Sequence, residues 1–390
     1  LANQPALNYD YWPGSGELID LARQRTGLSD FGGEHFVVGL DALLASLRDE
    51  SLLAGAQRDG VIALLLYRLE TRLQIEAWHA ANLEASQAPV RGPILVTGLP
   101  RTGTTATGNL LSLDAQLRPL RSWEQANPLP PPVLATEHDD PRRLASIERI
   151  STMIAQNPEQ MAMHIWETDA TEEDHDVLGM AFAGQNTILP VPSYRAWWRA
   201  ADMRPAYAFH KRVLQLLQTS RPPNLWILKA PHYKFHMEDI VAIYSDARFI
   251  FTHRDPAKTL SSYFSFATTH YPPGSVETYG RERIARDIHQ HLLEGMKTAV
   301  AARERLGESY FVDVSQKALS ADAFGTLRAI HEQLGLPFTA DFERKVHDWH
   351  AQNHSGAHGE HRHALEDVGF TAEQIHADFA FYTDRFGHLC

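Results

Sequence analysis

The chain has 390 residues, 44% of them hydrophobic and 22% charged, with a formal net charge of −12. This is the composition of a globular protein with room for one large α/β domain or two smaller ones, and it excludes a disordered chain. The acidic balance argues against a nucleic-acid partner, and no run of about 18 apolar residues is present to span a membrane. Any anionic nucleotide must therefore be held by local Arg and Lys. Residues 1–90 read as helical. Leu18–Arg23 has helical apolar spacing that Gly27 or Gly32-Gly33 breaks, and Leu40–Leu47 and Val61–Leu83 give two further helices. No chemistry stands out there. The expectation is a helical N-terminal extension packed on a main domain of residues 91–390.

Pro93–Thr97 is a short apolar run bounded by Arg91-Gly92 and Gly98, the pattern of a buried strand, and Ala106–Leu113 clusters leucines as on one helix face. Strand, glycine turn and helix start aim several N–H groups and a positive helix end at one point, a ready phosphate site. Gly98 and Gly103 stand as the two glycines of G-x-x-x-x-G-K-[ST], but Thr104 replaces the lysine that a nucleoside-triphosphate enzyme needs. Arg101 supplies a guanidinium ahead of the second glycine, suited to bidentate contact with one phosphate. The alternative is a plain β–α turn whose glycines serve packing.

The stretch Pro100-Arg101-Thr102-Gly103-Thr104-Thr105 resembles the 5′-phosphosulfate loop of sulfotransferases, Pro-Lys-Ser-Gly-Thr-Thr in the hormone and phenol enzymes. Its arginine form, Gly-Leu-Pro-Arg-Thr-Gly-Thr-Thr, is similar to that of a large, mostly bacterial group. The resemblance implies 3′-phosphoadenosine 5′-phosphosulfate (PAPS) as donor, with Arg101, Thr102, Gly103, Thr104 and Thr105 at its 5′ end. Two departures stand out. Ala106 replaces the Trp of the hormone and phenol enzymes, so the adenine-stacking group must come from elsewhere. Arg101 in place of Lys can act only as a fixed charge.

Further along, Pro128–Pro132 makes an extended connector and residues 142–157 look helical. Met161–Gly184 holds His164, Trp166, Glu167, Asp169 and the acidic run Glu172-Glu173-Asp174-His175-Asp176. The run reads as a solvated acidic loop or, with no strict spacing, as metal ligands; the resemblance adds a Glu-Asp pair bordering the acceptor pocket. Tyr194–Arg199 gathers three aromatic rings and two arginines, either core or the wall of an apolar acceptor site.

Leu225–Lys229 reads as a buried strand that Pro231 stops. Ligand sites in open parallel sheets lie at strand carboxyl ends, which puts Lys229 and His232 where chemistry is expected. A structural His232, or a His232–His236 metal pair without the Glu of H-E-x-x-H, are the alternatives. In sulfotransferases a Lys and then a base His follow this strand, here with one residue more between them. Arg248–Thr252 is another strand, followed by His253-Arg254-Asp255-Pro256 and a helix through Phe264. Arg254 and Ser262 can converge on a second anion, and they match the family's 3′-phosphate motif. Two such sites about 150 residues apart, in this order, make a specific signal.

Tyr310–Val314 is a fourth strand candidate, and Phe324–Leu334 a helix ending at Gly335. His354, His358, His361 and His363 lie in a Gly-containing loop without paired metal spacing. His361–Phe370 resembles the family's closing segment, which nominates Arg362 as a further 3′-phosphate contact. A single cysteine, Cys390, excludes an internal disulfide framework, and with no signal pattern in residues 1–20 predicts the cytoplasm.

The resemblance thus implies a P-loop-like α/β fold with a mainly parallel central sheet flanked by helices. The activity it implies is sulfuryl transfer from PAPS, without a metal, to a hydroxyl or amine. His232 is the implied base, and Arg101 and Lys229 stabilise charge. A small-molecule kinase is weakened by the missing lysine and by the lack of an acidic Mg²⁺ ligand at a strand end, Asp255 being nearest. A non-catalytic nucleotide-binding protein has Lys229 and His232 against it. Trp197, Trp198 and residues 268–274 suggest a lid over an apolar, hydroxylated acceptor such as a lipid, sterol or phenol. Self-association stays open.

Overall fold

The computed structural model describes residues 10–156, 166–185, 189, 191–221, 225–271, 274–352 and 364–390. Arg362, His164 and the histidines at 354, 358, 361 and 363 lie outside the described residues. The chain divides into two units: Leu1–Pro89 with Ala126–Val133 and His175–Arg221, and Val90–Gln125 with Leu134–Asp174 and Pro222–Cys390.

The first unit includes the helices Ser15–Thr26, His35–Glu50, Ala56–Ala81, Pro192–Ala200 and Arg204–Leu217. Gly27 ends the first of these in the left-handed conformation, its N–H bonded to the Arg23 carbonyl, as a glycine C-cap should. In the 194–199 cluster, Tyr194 and Trp198 are core. Tyr194 donates its hydroxyl to the carbonyls of Phe182 and Gly184, and the Trp198 indole donates to Ala183 at 2.7 Å. Both rings fill the interior while their polar ends are satisfied by backbone.

The second unit is built on a five-stranded sheet in the order β2-β3-β1-β4-β5. Its strands are β1 (Ile94–Gly98), β2 (Leu117–Pro119), β3 (Leu225–Lys229), β4 (Arg248–His253) and β5 (Phe311–Ser315). Every pairing is parallel, with Gly98 opposite Thr252 and His253 opposite Ser315. The strands are apolar runs because helices cover both faces of such a sheet. Ile94, Val96, Ile227, Ile250 and Val312 pack with Leu110 and Leu111 of the helix Thr104–Ser112 and with Leu327 of the helix Ala323–Leu334. The chain leaves β1 toward β2 on one side and leaves β4 toward β5 on the other. That reversal opens the ligand crevice of a doubly wound sheet beside the carboxyl ends of β1 and β4. Among the described residues no helix is long and apolar enough to cross a membrane.

Candidate active site

All the site residues below belong to the second unit. The turn after β1 depends on two glycines. Gly98 has φ 152°, and a Cβ there would stand 2.5 Å from the Thr252 carbonyl oxygen, so no side chain fits. Gly103 has φ 90° and precedes Thr104, the first residue of the nine-residue helix. Arg101 itself takes φ 69°, an uncommon conformation for a residue with a Cβ. The Thr102 hydroxyl is committed inward, donating to the Leu99 carbonyl at 2.6 Å and lying 2.6 Å from the Thr252 hydroxyl. Thr104 is buried at the helix start, and Thr105 follows half-buried.

The end of β4 meets this loop. Arg254 donates to the Arg101 carbonyl at 2.9 Å, and Arg101 Nε donates to the Ser262 hydroxyl at 3.1 Å. Ser262 lies on the helix Pro256–His270, which Asp255 caps by accepting the Lys258 N–H. The expected 5′ and 3′ sets are therefore neighbours. Burial, and then the charge of Arg254, hold the Arg101 guanidinium below its ordinary range. Burial lowers Arg254 as well, against the opposing pull of Asp255. Two cations pressed together and partly out of water favour an anion between them.

The turn after β3 is balanced differently. Thr171 anchors the acidic run, its N–H bonded to the Ser112 hydroxyl and its own hydroxyl to the Ile227 carbonyl. The expected solvated loop thus turns inward. Lys229 Nζ, wholly buried, donates to Glu172 Oε1 at 2.5 Å and lies 3.8 Å from Glu173. Burial works against the Lys229 charge, but Glu172, Glu173 and Asp174 overcome it and raise its pKa. His232 sits on a 3-10 turn, Pro231–Phe235, with Nε2 at 2.9 Å from Asp174 Oδ1, close enough for an ion pair though not aligned as a hydrogen bond. Tyr233 donates its hydroxyl to the other Asp174 oxygen at 2.9 Å.

Sequence reasoning missed these carboxylate partners. The signal was a lysine at the end of a buried strand, which demands a counter-ion, and the acidic run Glu172–Asp176 to supply it. Among the described residues no cluster of His, Cys, Asp or Glu is arranged to hold a metal ion.

The comparisons bear on this arrangement. A family model described as the sulfotransferase family matches residues 93–340. The chain belongs to that family. It is similar to sulfotransferase STF9 from Mycobacterium avium, at 29% identity over 97% of this chain and 98% of that one, with a TM-score of 0.87. Sulfotransferase STF1 from Mycobacterium tuberculosis H37Rv matches at 27% identity over 96% and 100%, with a TM-score of 0.83. Comparison with curated proteins gives no match.

Proposed function

We propose that this sulfotransferase moves the sulfuryl group of PAPS to a hydroxyl or amine of a small, apolar acceptor. The observation that carries the reading is the meeting of Arg101, Arg254 and Ser262 at the ends of β1 and β4, with Lys229 at the end of β3. That grouping suits a donor with a phosphate at its 3′ position and a phosphosulfate at its 5′ position. The lowering of both guanidiniums, Arg101 by burial and then by Arg254 and Arg254 by burial, fits a ligand with two anionic groups.

In this reading the N–H groups at 102–105 and the Thr104 and Thr105 hydroxyls hold the 5′ end. Thr102 contributes backbone only, since its hydroxyl closes the loop. Arg254 and Ser262 hold the 3′-phosphate, with Arg362 as a further contact. PAPS supplies the sulfuryl group, and the leaving oxygen belongs to its 5′-phosphate. By analogy with phosphoryl transfer, catalysis is positioning plus charge stabilisation by Arg101 and Lys229. His232 accepts the acceptor's proton, beside the carboxylate of Asp174.

One observation favours a second base. His232 is wholly buried, whereas the Glu172 side chain is 23% exposed and touches Lys229. Turnover of His232→Ala and Glu172→Gln at saturating donor, across a panel of phenols and alkanols, separates them. Near-full turnover in His232→Ala removes the histidine base and leaves Glu172. The donor is tested by calorimetric titration of adenosine 3′,5′-bisphosphate, ATP and AMP with and without Mg²⁺. Tight, metal-independent binding of the bisphosphate is expected, and preference for ATP with Mg²⁺ would instead install the kinase.

A further inference from the structure

The two residues that flank Arg254 at the end of β4 are both held by short helices late in the chain. His253 is wholly buried, with Nδ1 3.0 Å from the Tyr382 hydroxyl and Nε2 2.8 Å from Asp313 Oδ1. The Cys390 thiol lies 3.8 Å from the same Tyr382 hydroxyl oxygen. His376 Nε2 lies 3.2 and 3.3 Å from the two Asp255 oxygens. Tyr382 and His376 stand on the short helices Ala380–Phe386 and Ala372–Asp378, beyond the residues matched by the family model.

The donors and acceptors in this group have one consistent order. Burial disfavours the Asp313 charge, but bidentate Arg303 and then His253 hold its carboxyl well below the usual range, so it accepts only. His253 therefore donates from Nε2, which makes Nδ1 the acceptor of the Tyr382 proton. Tyr382 oxygen is then left to accept from the Cys390 thiol. The Tyr382 ring also stacks on His253, with centroids 5.8 Å apart and planes 11° from parallel. Asp255, gripped by His376, caps the helix that presents Ser262.

We infer that Tyr382 and His376 are positioning residues for the 3′-phosphate, holding His253 and Asp255 on either side of Arg254 and with them the entry of the Ser262 helix. The inference rests on the assignment of Arg254 and Ser262 to that phosphate. Each positioning residue acts by setting where a guanidinium or hydroxyl stands, which loses effect within a fraction of an ångström. Removing the Tyr382 oxygen takes the partner from the buried His253 Nδ1.

The test is the ratio of Kd for AMP to Kd for adenosine 3′,5′-bisphosphate, by calorimetry on the full chain, with thermal melting beside it. Arg254→Ala should reduce that ratio about 30-fold. Tyr382→Phe should reduce it about tenfold and His376→Ala about threefold, with AMP affinity little changed. A residue that only stabilises the fold would lower the melting temperature and leave the ratio alone. If Arg254→Ala lowers the ratio while the other two do not, the positioning role is overturned and the phosphate assignment stands. If Arg254→Ala leaves it unchanged, the assignment itself falls. Should Tyr382→Phe fail to fold, His376→Ala decides, because that side chain is 49% exposed.

Discussion

The two halves of the site are charged in opposite styles. At the ends of β1 and β4, the charge of Arg254 bears on Arg101, and their hydrogen-bond partners include a hydroxyl and a backbone carbonyl. At the end of β3, Lys229 and His232 are met by Glu172, Glu173 and Asp174. A cation crowded by a cation waits for an anion. A cation already balanced by carboxylates is a place where charge can be redistributed as a proton leaves an acceptor. Under the proposed function, the difference separates binding of a donor from handling of its transfer.

The largest expected effect comes from the balanced half. Lys229→Met should lower turnover by about 10²–10³-fold, the usual loss of a transition-state cation. It should also lower stability by about 3–5 kcal/mol, because it leaves the inward-turned carboxylates uncompensated. Adding Glu172→Gln should recover much of the melting temperature and none of the turnover. Stability that stays low in the double variant would mean that Glu172 is not the counter-ion of Lys229, and the contrast between the halves would lose its basis.

The crowded half is tested through its backbone. Gly98→Ala places a Cβ against the Thr252 carbonyl, a backbone atom with little room to yield, at a φ that disfavours any side chain. The expected cost is about 3 kcal/mol in chemical denaturation, with bisphosphate binding lost alongside. Unchanged binding with normal stability would show that the loop does not need this turn.

Much of this half was legible in the sequence. Gly98, Gly103, Arg101, Arg254 and Ser262 carry local signals: glycines at fixed spacing, and cations directly after β-rich apolar runs. The strands at 94–98, 225–229 and 248–253 follow from the same runs. What was hidden is long-range. Lys229 meets Glu172 across 57 positions and Tyr382 meets His253 across 129, and an acidic run looks the same whether it faces water or a buried lysine. The edge strand β2 is three residues ending in Pro119, too short to show alternation and tolerable only at an edge. Tyr194 and Trp198 pattern equally well as core or pocket wall, and only their carbonyl partners decide for core.

The smallest effect sharpens the contrast most, because it lies inside one turn. Lys234 is as deeply buried as Lys229, five positions away, yet its pKa moves the other way, to about 7, since burial lowers it and only Glu173 opposes. Its ammonium donates to the Pro231 carbonyl at 2.6 Å, a neutral partner. Carboxylates rather than depth thus decide the sign. The unfolded chain keeps an ordinary lysine, so between about pH 7 and the ordinary value of 10.5 it binds a proton that the folded chain does not. Folding stability contributed at this position therefore rises with pH through that window, and the burial cost is complete below it. Lys234→Met removes the titration. Its melting temperature relative to the parent should be highest at pH 6 and should fall steadily toward pH 10, by a few degrees for each ~1 kcal/mol. A difference that is flat with pH would mean that Lys234 keeps an ordinary pKa, and that burial without carboxylates does not neutralise a lysine in this turn.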